Sequence, residues 1–578
     1  MSRLLVLGIA PGDFSPEEGV LAGPWCITRG GPNDDSGCCS AAAGFEEDAG
    51  SFVMPPEPFE SSEMLELAAG QARQLIVELA PQLAAELNVR HGVAHDARYW
   101  DFVLSPWLTR FCEVLVDRLH RSEGILRSFG GMELNVPVQS SGSRFVFADT
   151  QDFIMGGILD PQWNHWLLDR LLQRRWPSGW KRVEGPPVVR EPKAEDQESL
   201  FRRLVRRLVF GLPFPRIKGF SLRESLRLSV VLLKNPNTRD DTLPLAALSV
   251  PGLLERHPLP LGFSSADALK LAVELLPRSL LVARIPGDLG RKSPVRTRVV
   301  SVAACEDDAY RLRVAASRGR GCRMIFIQHG GEYGFVRTSV AYPMVEYRQH
   351  RFMTWGWTRH GDMPGNFLPL PHPQLAAIRG AHRETKPQLL LVGTEMALLP
   401  YTLKSMLRGR QFFAYREDKA RFLAALDPDM RIRTQYRPYF DVPSSLADAT
   451  WLLRRFPEVG RCTGPLEPHL FGCRLLVLDH AGTTLGQALA ANIPFLLFWR
   501  PDPGRFTPEV LPLLDGLREV GILHDTPEAA AEQAARVWSD VPGWWETTRD
   551  ARKQWADLHA LTVKGPVLPL WVRALSEV

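Results

Sequence analysis

From about residue 280 to residue 500 the chain alternates short apolar runs with helical patterns, and that alternation narrows the folds open to it. The runs at 280–284, 299–304, 324–328 and 352–355 come first. A Pro-rich hinge at 364–373 follows, and then runs at 388–392, 431–437, 475–479 and 495–499. Runs this short and this uniformly apolar predict strands covered on both faces. Strands separated by helices pair in parallel, since each return needs a long crossover. The sequence therefore predicts an α/β fold of two Rossmann-like lobes, with ligand in the cleft that faces the carboxyl ends of the strands. The expected divisions are an N-terminal lobe with helical insertions over 1–375, a C-terminal lobe over 376–545, and a helical tail over 546–578 that packs across both.

Upstream, 4–8 reads as an opening strand, too short for a signal peptide. A loop rich in Gly, Ser, Asp and Pro spans 29–58, and helices are expected over 62–87 and 99–119. A Pro- and charge-rich linker is expected over 177–198. At 201–209, apolar residues recur at helical spacing opposite Arg202, Arg203, Arg206 and Arg207. Two readings are open for that stretch, a helix packed on its domain and a helix lying on a membrane surface.

Composition excludes several classes. The net charge of +4 on 578 residues is too small for a nucleic-acid footprint. Eight cysteines with no C-x-x-C pair argue against a disulfide framework or a zinc site. No run of about 18 apolar residues occurs, so no spanning helix is expected. The chain reads as cytoplasmic, or associated with the inner membrane from that side.

Two strand–turn junctions carry the chemistry. At 475–490 an apolar strand ends in Asp479 and His480, turns through Gly482, and enters a helix with Thr483 and Thr484. A helix start has free N–H groups and a positive dipole end, and the two hydroxyls complete a phosphate cradle. Thr483 could equally serve as a plain helix cap. A nucleophile elbow is the rival, but that motif wants serine where this chain has threonine. At 324–334 a second strand runs into His329, Gly330, Gly331, Glu332 and Tyr333. Paired glycines let a ligand approach the backbone, and a histidine there can move a proton or donate to phosphate. A third cluster, His91, His95 and Asp96 ahead of Tyr99 and Trp100, reads either as an acceptor-activating pair or as a helix cap beside core aromatics. No metal-ligand spacing and no G-x-G-x-x-G or P-loop occurs, and Asp427-Pro428-Asp429 reads as a turn.

These motifs, with Asn88, Trp107-Leu108, Trp355-Gly356-Trp357 and Asn492-Ile493-Pro494, resemble a family of transferases of O-antigen and surface-carbohydrate biosynthesis. That family is distantly similar to two-lobed (GT-B-like) glycosyltransferases such as bacterial Kdo transferases, and to CDP-glycerol glycerophosphotransferases. The resemblance spans about residues 80 to 500. It implies a metal-independent transferase without a cofactor, taking a nucleotide-sugar donor and a lipid-linked or glycan acceptor. Carried onto this chain, it puts donor phosphate on Thr483 and Thr484; the reading of the residues sets Gly330, Gly331, Tyr333, Asp479, His480 and Gly482 around it, with Arg437, at the end of its strand, as a charge partner. His329 faces the phosphate, and His329 or the His91, His95 and Asp96 cluster takes the acceptor proton. Gln487 stands where such families often have an acidic residue, which loosens the expected ribose contact. Transfer of an alditol phosphate on the same fold and carbohydrate binding without catalysis are the alternatives.

Overall fold

The computed structural model describes residues 3–11, 14–27, 51–192, 217–234, 240–248, 257–285, 287, 295–300, 305, 307–439, 444–499 and 502–578. Three parallel sheets organise them. The first holds β1 (Arg3–Val6), β2 (Gly19–Leu21), β3 (Leu134–Val138) and β5 (Trp180–Glu184) in the order β2-β1-β3-β5, with a short pair, β4 (Arg144–Phe145) and β6 (Val189–Arg190), alongside. The second runs β7 (Thr297–Val300), β8 (Arg323–Ile327), β9 (Arg351–Thr354) and β10 (Phe367–Pro369), each beside the next. The third holds β11 (Leu389–Val392), β12 (Thr434–Arg437), β13 (Gly460–Arg461), β14 (Leu475–Leu478), β15 (Phe495–Phe498) and β16 (Leu523–His524) in the order β13-β12-β11-β14-β15-β16. Every residue of β8, β14 and β15 is buried, which is why these strands read as unbroken apolar runs.

Chain direction across the third sheet matters for function. From β11 the chain steps outward to β12 and β13, then returns to β14 on the other side and continues to β15 and β16. The strand order reverses between β11 and β14, the switch point beside which open parallel sheets bind ligands.

Two long helices lie among the sheets. α1 (Ser62–His91) starts at the Ser61 cap and ends at Gly92, whose φ of 62° closes the last turn. α2 (Ala97–Phe129) starts where Asp96 accepts from the Tyr99 N–H. Twenty-five of its residues are buried, so it is a core helix and not a surface one. On α2, Asp117 holds Arg118, Arg121 and Arg408, and Arg121 also pairs with Glu57 at 2.7 Å. Burial works against charge on Asp117, but the three guanidiniums outweigh it and keep this carboxyl well below its usual range. The network ties α2 to the segment that follows β11. Further on come α3 (Leu222–Lys234), α4 (Asp308–Gly319), α5 (Gln411–Ala425), α6 (Thr483–Ala491) and α7 (Leu568–Ser576). α7 returns to pack on α3, with Trp571 donating to the Pro371 carbonyl at 2.9 Å. Trp555 packs edge-on against Phe335, centroids 5.3 Å apart.

Several expectations are corrected. The run at 280–284 is helical as far as Val282, the end of a short helix over Arg278–Val282, and is not a strand. Pro277 precedes it, and its first N–H groups bond across to Phe147 and Ala148; so short an apolar run does not by itself distinguish strand from helix. The expected linker over 177–198 contains β5, fully paired with β3 in register Leu134↔Trp180 to Val138↔Glu184. The turn at 427–429 is a helix start, with Asp427 capping Pro428–Ile432, so β12 begins only at Thr434. Both the 201–209 stretch and most of the 29–58 loop lie outside the described residues. No described helix is long and apolar enough to cross a membrane.

Candidate active site

The turn that follows β8 is held from behind. Gln328 is buried; its amide donates to the Gly330 carbonyl at 2.7 Å, and its carbonyl oxygen accepts from the Trp355 N–H and the Trp357 indole, both at 2.8 Å. This explains the Trp-Gly-Trp motif as a brace. With the turn fixed, His329 faces outward and keeps 41% of its side chain open. Crowding by the cavity walls, helped by the Lys404 charge, lowers its pKa to about 4, so the imidazole is neutral at pH 7.

Behind His329 stands a proton-bearing chain. The Tyr333 hydroxyl lies 2.9 Å from His329 Nδ1 and donates to the Glu346 carboxylate at 2.9 and 3.0 Å. Glu346 is buried, and desolvation pushes its pKa up to about 7. Tyr333, expected to touch donor, is itself only 2% exposed, and its hydroxyl is engaged by the histidine and Glu346. Beside it, Lys404 pairs with Glu332 and sits over the Tyr342 ring, 4.9 Å from its centre. The other Glu332 oxygen is 3.9 Å from His480 Nε2. Burial opposes ionisation of Glu332, yet the ammonium and His480 win and hold its pKa well below the usual range.

The second turn follows β14. Asp479 is 1% exposed; it accepts from the Thr394 N–H at 2.8 Å and lies 3.5 Å from Lys419 Nζ. Lys419 in turn bonds the Thr394 carbonyl at 2.7 Å and Asp448 at 2.5 Å. Asp479, expected at the donor, is here buried and fastens the loop after β11 to the loop after β14. Gly482 precedes α6, which has no side-chain cap. The free start of α6 is open to an anion.

One contact joins the two turns. The Gly331 N–H donates to Thr483 Oγ1 at 3.0 Å. A Cβ on Gly331 would lie 2.6 Å from the Thr483 nitrogen, so only glycine lets the turns close to this distance. His329, Gly330, Gly331, Lys404 and Thr483 consequently line one cavity of about 490 Å³, with Tyr401 and Tyr439 on its wall. A second cavity of about 460 Å³, lined by His480, Trp499, Phe506 and Arg505, shares Glu332 with the first.

Other expected residues lie elsewhere. Arg437 ends β12, two strands from β14, and donates to the Gly464 carbonyl at 2.6 Å. His91 bonds the Leu280 carbonyl at 2.8 Å, His95 stacks on Tyr99 at 4.1 Å, and Asp96 caps α2. About 15 Å of helix axis separates Asp96 from Pro106, the first cavity residue on α2. In this structure the cluster sits at a helix junction, with Asp96 as the cap, and none of its residues lines either cavity. Lys404 and Glu346 were not foreseen: neither sits in a motif, and only the fold brings them to the turn.

A model of the LIC12162 family transferases matches residues 3–575. The chain belongs to that family. It is accordingly a transferase. No curated protein sequence matches it. Among solved structures it is similar to spinosyn forosaminyltransferase SpnP, at 12% identity over 79% of this chain and 92% of that one, with a TM-score of 0.25. Chemically, the described site offers a neutral imidazole on a buried hydroxyl–carboxyl chain, a paired ammonium, and a helix start marked by Thr483, all on one cavity, while Gly482 and Thr484 line neither cavity.

Proposed function

We propose that the chain is a two-lobed, GT-B-like glycosyltransferase that moves a sugar from a nucleotide-sugar donor to a growing lipid-linked glycan of the bacterial surface. The N-terminal lobe (1–375) holds the acceptor, the C-terminal lobe (376–545) the donor, and the tail (546–578) spans them. The observation that carries the reading is the Gly331–Thr483 contact, which sets a histidine and an uncapped helix start on one cavity. Donor diphosphate rests on Gly482, Thr483 and Thr484, with His480 alongside. The nucleoside extends into the 460 Å³ cavity, where Trp499 and Phe506 offer stacking faces. The acceptor enters the 490 Å³ cavity. Its hydroxyl oxygen attacks the anomeric carbon and gives its proton to His329. The bond from that carbon to the phosphate oxygen breaks, and its electrons leave on the diphosphate. Stabilising that leaving charge with the helix start and the threonine hydroxyls is the largest catalytic contribution available here.

The test is a thermal-shift screen with CMP, CDP, UDP, GDP and their sugar conjugates, repeated on Thr484→Val. A ligand at about a hundred times its dissociation constant adds roughly 2.7 kcal/mol. Stabilisation by one nucleotide family, weakened in the variant, names the donor class. Silence from every nucleotide in folded protein refutes the nucleotide-donor reading. Analysis of the released nucleotide then separates the two chemistries, since sugar transfer releases diphosphate from a diphosphate sugar while alditol-phosphate transfer from a CDP donor releases CMP.

A further inference from the structure

Away from the site, α3 has two apolar faces. One buries Leu228 and Leu232 against Ile325, Ile327 and Trp571. The other faces outward: Leu222 is 68% exposed, Leu226 47%, Val230 49% and Leu233 42%. At ~100° per residue these four fall within ~80° of the helix circumference, a continuous stripe and not the scattered exposure that any surface shows. Within the next ~60° come Arg223, Arg227 and Lys234, all three exposed. Glu224 lies on the far side, its carboxylate accepting from the Ser221 hydroxyl at 2.7 Å.

An apolar stripe with cations along one edge is the arrangement of a helix lying in a bilayer interface. Leucines enter the acyl boundary while arginine and lysine reach up to the phosphates. Charge complementarity selects the occupant: the three cations match anionic headgroups. We propose that α3 is the face by which this chain lies on an anionic lipid surface. This places the contact on a packed helix of the second sheet, not on the 201–209 stretch, and it holds whatever reaction the transferase performs.

The experiment is co-sedimentation of the full chain with vesicles of phosphatidylcholine alone and of phosphatidylcholine mixed with phosphatidylglycerol. Wild type is expected to bind the mixed vesicles and not the neutral ones, less tightly as salt rises. Leu226→Glu with Val230→Glu should abolish binding. Arg223→Ala, Arg227→Ala and Lys234→Ala together should weaken it on the order of a hundredfold, from roughly a factor of five per cation near an anionic membrane. All these positions are exposed, so unchanged circular dichroism and melting are expected of both variants. Failure of wild type to bind mixed vesicles overturns the proposal, as does binding that survives both variants. Loss of binding only when Arg202, Arg203, Arg206 and Arg207 become Gln reassigns the contact and also overturns it. Self-association without lipid that Leu226→Glu abolishes shows the stripe to be a protein interface instead.

Discussion

The turns after β8 and β14 are built alike and surrounded differently. Each follows a fully buried strand, places a histidine near its start and uses glycine to tighten the path. Each also has a buried carboxylate close by. Glu346 has the Tyr333 hydroxyl as its hydrogen-bond partner, with pKa pushed up to about 7 by burial. Asp479 has a lysine 3.5 Å away and a backbone N–H. Burial raises the pKa of both carboxyls, but Asp479 is set against the Lys419 ammonium, which favours its charged form and ties it into the fold, whereas the hydrogen-bond partner of Glu346 is a neutral hydroxyl. Under the proposed function, the first turn moves the proton and the second holds the anion over a braced base.

The comparison can be broken in several places. His329→Ala should lower kcat by roughly 10²- to 10⁴-fold, the range for a lost general base, with melting unchanged. A loss under tenfold, measured as kcat at saturating donor, puts the base elsewhere. At the other turn, Lys419→Met leaves Asp448 and Asp479 uncompensated and should cost about 3–5 kcal/mol of stability in urea unfolding, while folded enzyme in the cold keeps its donor KM. A donor KM raised without lost stability would mean that Asp479 touches donor after all.

Glu346 sharpens the contrast through pH. Its folded pKa is raised above the usual 4.5 to about 7, by burial first. The folded state therefore holds that proton more tightly, and the resulting stability is complete below about pH 4.5, falls between there and pH 7, and is gone above. Against Glu346→Gln, wild type should lose about 3 kcal/mol across that window, read as a difference in unfolding free energy. A pH-independent difference contradicts the proton-holding role.

Thr484→Val should reduce kcat/KM by roughly 10- to 100-fold, as expected for a hydrogen bond to a charged group. Thr483→Val adds a stability loss of about 1–3 kcal/mol, because the Gly331 N–H loses its acceptor. Equal stabilities of the two variants would show the bridge between the turns to be weak. The smallest effect is expected far from both turns. His91→Ala leaves kcat unchanged within about twofold, and Asp96→Ala costs about 1 kcal/mol of stability as a lost cap.

Local signals in the sequence were reliable where the cause is local. Asp96 starts the second long helix, although both helices run on past the ends expected at 87 and 119, to His91 and Phe129, and the apolar runs at β8, β14 and β15 are strands because both faces are covered. Both turns at the candidate site were visible as polar, Gly-dense ends of such runs. What could not be read depends on distant partners. The first sheet joins pieces from residue 3 to residue 184, and apart from β1, read from the apolar run at 4–8, none is long enough to announce itself. Lys404 and Glu346 reach His329 from 75 and 17 residues away along the chain, through a loop and an irregular helix. The same limit explains Asp479 and the His91 cluster, whose residue types suit chemistry but whose neighbours make them a fastening and a cap.

The central claim, that donor phosphate on the start of α6 lies beside His329, is tested most directly by histidine NMR, with the His329 signal assigned from His329→Gln. In the free protein the imidazole should titrate at about 4. Saturation with the nucleoside diphosphate that stabilises the protein should raise that pKa by at least a full unit, since a nearby anion favours the imidazolium. Tight nucleotide binding that leaves the His329 titration where it was would contradict the account, placing the phosphate away from the histidine.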